Sequence, residues 1–187
     1  NCEGVVENMT TENDNLLKLI DPETNHFKLF DFINVYLDLP LVWDTNNYNQ
    51  NGHVGSMING YDDDDNFVGF VFILDVTEDK SELDITKLSG DELDNYEAHL
   101  HKEYKNHWGE NLISWDGYEM VKTTQGMTGF VTKCTILEDD GKNKFDYTLR
   151  TSFKDKVIYA AVGLKDNDLN FLKYFKGFKE IILNISF

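Results

Sequence analysis

Residues 61–76 read YDDDDNFVGFVFILDV, and no other stretch restricts the fold as much: four adjacent aspartates run straight into a segment that is apolar on both parities. In a strand, Val68, Phe70, Phe72 and Leu74 fall on one face and Phe67, Val71 and Ile73 on the other. That pattern predicts a strand inside a sheet, with a further layer over each side. The aspartates repel one another, so Asp62, Asp63, Asp64 and Asp65 are expected in a solvated turn that guards a sticky strand. The alternative is an irregular Ca²⁺ site. An EF-hand loop puts oxygen ligands at its first, third and fifth positions, Gly at the sixth and Glu at the twelfth. Counting from Asp62 places Phe67 sixth and Ile73 twelfth, and counting from Asp64 places Val68 fifth. Neither register serves, and the reading assigns no cofactor.

At 187 residues the chain has the length of one domain. Residues 1–26 read as a polar leader with a short helical turn through LLKLI, and residues 27–187 as a single domain. From Phe32 to Leu39, Ile33, Val35, Leu37 and Leu39 alternate with polar partners as in a strand with one buried face, and Pro40 ends it. The following DTNNYNQNG reads as a loop, with Asn51-Gly52 as its turn. Strands are expected over His53–Tyr61 and Phe67–Val76.

In LSGDEL, Ser89 can cap a helix, Glu92 can close the capping box and Leu88 can staple to Leu93. Leu93, Tyr96, Leu100 and Tyr104 continue one apolar stripe. An antiparallel meander follows over Ile113–Gln125, Phe130–Leu137, Phe145–Phe153 and Val157–Leu164. Asp166 or Asn167 can then cap a helix carrying Leu169, Leu172, Phe175 and Phe178, with IILNISF trailing as an extended segment. The succession predicts an α+β domain, an antiparallel sheet of about six to seven strands flanked by two main helices.

Lys and Arg total 17 against 34 Asp and Glu, a formal charge of −17. Such a field repels phosphate backbones and anionic lipid headgroups, which disfavours nucleic acid and membrane surfaces as partners. No window has the roughly 20 apolar residues of a transmembrane span. A start at Asn1 is what a processed export signal leaves, so export is expected, with Cys2 open to a lipid anchor or a disulfide. Cys134 sits in the alternation Phe130, Thr132, Cys134, Ile136 and reads as a small buried hydrophobe.

Catalytic patterns are scarce. His99 with Glu103, or Glu97 with His101, are spaced i, i+4 on the first helix, but His99 and His101 point about 160° apart and no third ligand accompanies either pair. There is no HExxH, CxxC, GxSxG, Walker loop or GxGxxG. Trp43, Trp108 and Trp115 are expected in loops or at strand edges, which makes them candidates for partner binding.

The early strand ending in Leu39, Pro40 and Trp43, the helix beginning at Ser89, the segment ISWDGYEMVKTTQ and the closing FKEIILNISF together carry a resemblance. Over roughly residues 27–187 the chain resembles the PsbP and Mog1-like superfamily, which includes exported bacterial lipoproteins of the DcrB type. The resemblance implies a helix-flanked antiparallel sheet, no enzymatic activity, and a binding or assembly role. The resulting expectation is a non-enzymatic, exported or lipid-anchored module that engages a protein partner through an acidic surface. Its alternatives are an immunity protein that neutralises a basic toxin and a metal-dependent hydrolase.

Overall fold

The computed structural model describes residues 26–28, 33–36, 42–50, 53–165 and 168–187. A short antiparallel pair, β1 (His26–Lys28) and β2 (Asn34–Tyr36), accompanies a seven-stranded antiparallel sheet. The sheet contains β3 (Val42–Gln50), β4 (His53–Tyr61), β5 (Phe67–Asp75), β6 (Leu112–Lys122), β7 (Thr128–Leu137), β8 (Asn143–Phe153) and β9 (Lys156–Lys165). They lie in the order β3-β4-β5-β9-β8-β7-β6. Two hairpin runs therefore meet where β5 pairs with β9, with Val71 opposite Val162. Helix α1 (Gly90–Trp108) joins the runs and α2 (Asp168–Leu183) closes the chain.

Local chemistry sets the boundaries. The aspartate run is the turn between β4 and β5: the Asp62 carboxylate accepts from the backbone N–H groups of Asp64 at 3.0 Å and Asn66 at 2.9 Å. Asp63, Asp64 and Asp65 are exposed, and Asp65 takes a left-handed φ of 60°. Helix α1 opens as the capping pattern predicts, with the Glu92 carboxylate accepting from the Ser89 N–H at 3.1 Å and its hydroxyl at 2.8 Å.

Alternation assigns each strand residue to a face. Tyr147 and Leu149 on β8, Ile158, Ala160 and Val162 on β9, and Val71 and Ile73 on β5 face α2, where Tyr174, Phe178, Ile181 and Ile182 complete the main core. The opposite parity faces α1. There a smaller core forms from Ile85, Tyr96, Leu100 and Phe130, with Trp115 and Tyr118 of β6 at its edge. Helix α1 lies over the β6 side of this face, and the β4–β5 side is left half-buried at Met57, Phe70 and Phe72.

Two expectations need correction. The Asn-rich run 42–50 is strand β3, paired along its whole length with β4, rather than a loop. It is an edge strand with a largely solvated surface, so its composition carries little apolar alternation although the backbone ladder is complete. The C-terminal run IILNISF is not extended from its start: helix α2 continues through Leu183, because Ile181 and Ile182 extend the stripe of Tyr174 and Phe178 into the core. Leu37, Leu39, Pro40, the Asn51-Gly52 turn, the polar leader with Cys2, and the capping candidates Asp166 and Asn167 lie outside the described residues. Among the described residues no helix is long and apolar enough to cross a membrane.

Phe178 is fully buried and meets Trp43 edge-on at 5.7 Å between centroids. Phe178→Ala is expected to cost about 3–5 kcal/mol, measured by chemical denaturation as a lower midpoint with an unchanged slope.

Candidate functional site

Helix α1 and the half-buried side of the sheet enclose a cavity of about 380 Å³. Its floor is formed by Phe70 and Phe72 from β5, Tyr159 and Ala161 from β9, and Asp146 and Arg150 from β8. Gly163 makes the floor possible: a Cβ there would lie 2.3 Å from the Phe70 ring, so only glycine lets that ring lie down across β9. Helix α1 supplies the wall with Leu100, Tyr104, His107 and Trp108, and Glu82 closes the rim from the connection between β5 and α1.

The floor is unusually polar for a buried sheet surface. Arg150 is 5% exposed, and its Nε and Nη1 have no hydrogen-bond partner among the described residues. Its guanidinium carbon lies 5.1 Å from the Tyr159 ring centre and 5.9 Å from that of Tyr96, while Glu82 Oε2 stands 3.9 Å from Nε. Burial opposes the charge on Arg150, but the surrounding Tyr96, Tyr159, Tyr104 and Glu82 outweigh it and hold its pKa above the ordinary value. The Tyr96 hydroxyl next to it is buried, with the Arg150 guanidinium as its polar neighbour. Tyr159 is hydrogen-bonded to Tyr104 and Thr148, and both phenols are pushed up, Tyr104 chiefly by its neighbour Tyr159 and Tyr159 by burial.

Asp146 is the second buried ion. It is 9% exposed, its Oδ1 has no hydrogen-bond partner among the described residues, and Lys144 Nζ forms an ion pair with that oxygen at 3.6 Å. Burial pushes its carboxyl up to about 6, with Lys144 pulling the other way. Lys144 also lies 5.4 Å from the Phe70 ring and 5.5 Å from Trp108. The lining thus combines Lys144 and Arg150 with Glu82, Glu103 and Asp146, nearly balanced in charge within a chain of −17.

The sequence candidates do not converge. Trp43 sits in β3 against Phe178, on the α2 face of the sheet. Trp115 lies in β6, stacked on His101 at 5.0 Å and donating to the Glu97 carboxylate at 2.5 Å. Neither residue is in a loop, and both are half-buried packing groups. Trp108, at the end of α1, does line the cavity. His99 pairs with Glu103 at 3.2 Å on the exposed side of α1, and Glu97 and His101 are both taken up by Trp115. Cys134 is buried, and desolvation pushes its thiol up to about 12, so it holds its proton and packs as a hydrophobe. Asp146 and Arg150 were hidden in a strand whose alternation looked half-solvated. The one available signal was the pair of charges on a strand flanked by two strongly apolar ones.

Comparison of the chain with protein-family models and with curated proteins finds no match.

Asp146 makes stability depend on pH. Its folded value of about 6 lies above the ordinary carboxylate value of 3.8, so between these values the folded state holds the extra proton. Stability therefore falls as pH rises through this window and levels off above it. Asp146→Asn is expected to remove that slope and to gain up to about 3 kcal/mol over the parent at neutral pH, less the loss of the Lys144 pairing. Denaturant titrations of both proteins across the window check it, and the two curves should converge at its acid end.

Proposed function

We propose that this chain is a non-enzymatic binding module of the PsbP and Mog1-like kind, and that its ligand seats in the cavity between α1 and the sheet. The observation that carries the reading is the floor: buried Arg150 and Asp146 keep unpartnered polar atoms beneath a cavity of about 380 Å³ lined by Phe70, Phe72 and Trp108. Unsatisfied buried charge is costly, and folds retain it where a bound molecule completes the set. The volume falls at the small end of the range for organic ligands, roughly 300–1,000 Å³.

The lining specifies an amphipathic occupant. Phe70, Phe72, Leu100 and Trp108 accept an apolar body, and Arg150 attracts an anionic head. A free amphipathic anion and a side chain presented by a protein offer the same chemistry to this seat, which is how an acidic surface and the seat can serve one partner. Cys134 is held as a thiol and lies outside the cavity, so it supplies no nucleophile there.

The anionic aromatic probe 8-anilinonaphthalene-1-sulfonate tests the seat. Saturable binding at one site per chain is expected, weakened by at least about tenfold in Ala161→Phe, which fills the floor, and in Met57→Trp, which blocks the side. Both variants must retain a cooperative melt, because a loosened core also takes up this probe. Absence of saturable binding, or binding indifferent to both variants, overturns the reading.

A further inference from the structure

At the rim of the cavity lies a second group of side chains, which shares only Glu82 with the cavity lining. His53 opens β4, and Asp79 and Glu82 lie on the connection from β5 to α1; one donor atom from each falls within 4.8 Å of the other two. We propose that His53, Asp79 and Glu82 form a binding site for a divalent transition-metal ion, Zn²⁺ by preference, at the rim of the cavity.

The three residues are held in place by their surroundings. The connection is pinned by backbone bonds from the Asp79 N–H to the Val76 carbonyl at 3.0 Å and from the Glu82 N–H to the Asp79 carbonyl at 3.1 Å. Asp79 Oδ1 accepts from the Ser81 N–H at 2.9 Å and the Ser81 hydroxyl at 2.6 Å, which leaves Oδ2 turned to His53 Nε2. These Ser81 bonds fix the orientation of the Asp79 carboxylate towards His53. On the cavity side, Arg150 is nineteen-twentieths buried, has no hydrogen-bond partner at Nε, and aims that nitrogen at Glu82 from 3.9 Å. Each carboxylate therefore has an outer group orienting it, the arrangement that surrounds metal ligands.

The donor set selects the ion. A neutral imidazole with two carboxylates suits Zn²⁺ or Mn²⁺, whereas Ca²⁺ and Mg²⁺ prefer oxygen alone. Ligand atoms around Zn²⁺ lie about 3.3 Å apart, so an ion here requires the direct His53–Asp79 contact to widen and the set within 4.8 Å to draw together around it. Three protein ligands would leave a fourth position open, and Glu82, which also lines the cavity, places the site at its rim. The aspartate turn differs on each count: it offers no imidazole, and Asp62 spends both oxygens on Asp64 and Asn66.

Calorimetric titration of the chelator-treated full chain with ZnCl₂ tests the site without any organic ligand, so its outcome is separate from that of the cavity. One strong site per chain is expected, with Mn²⁺ weaker and Ca²⁺ weaker still. His53→Ala and Glu82→Gln should each weaken Zn²⁺ binding by at least about tenfold, while His99→Ala, which breaks the surface pair with Glu103, should leave it unchanged. Melting curves confirm that the variants fold. The proposal is overturned by no Zn²⁺ binding at millimolar concentration, by Ca²⁺ binding more tightly than Zn²⁺, or by adventitious binding that survives both site variants.

Discussion

A width mismatch governs the molecule. Seven strands have six gaps of about 4.8 Å, a sheet about 29 Å across, while a helix with its side chains covers only about 10 Å. On one face α2, β2 and the C-terminal residues combine to fill the core, with Phe178, Ile182 and Ile185 fully buried. On the other face, among the described residues, α1 and the short helical turn Ile85–Lys87 form the cover, and α1 packs towards β6 and β7. Among the described residues the β4–β5 side of the sheet carries no second layer, and the step between covered and uncovered surface is the cavity.

That step explains where the buried charges lie. Asp146, Thr148 and Arg150 alternate on β8 directly beneath the edge of α1, with Gly163, Ala161 and Tyr159 as their cross-strand neighbours. Glycine and alanine keep the floor low, and Asp146, the long Arg150 and the tyrosines fill what an apolar pair of layers would have closed. A packed hydrophobic set of similar volume is commonly as stable as a buried ion pair or more so. Stability alone therefore does not account for Asp146 and Arg150.

Periodicity made most of the fold legible. The two-sided β5, the capped stripe of α1 and the meander from β6 to β9 all carry enough apolar alternation to outweigh local propensity. Strand β3 was obscured because an edge strand draws its order from backbone pairing with β4, which leaves no mark in side-chain composition. The site was obscured for a different reason. Lys144, Asp146 and Arg150 read locally as the wet side of a half-buried strand, and only the placement of α1 over that side turns them into a floor. His53 and the pair Asp79 and Glu82 come from separate elements, so no spacing motif connects them. The tryptophans misled in the opposite direction: Trp43 and Trp115 lie on the two edge strands, where their bulk seals the ends of separate cores.

Glu82 is the joint between these features. It stands on the connection that leads from the central strand to the covering helix, lines the cavity, and lies within reach of both Arg150 and the His53–Asp79 pair. A carboxylate has two oxygens, so Glu82 can face Arg150 with one and the His53–Asp79 pair with the other, and the short connection that carries it ties the rim of the cavity to its floor.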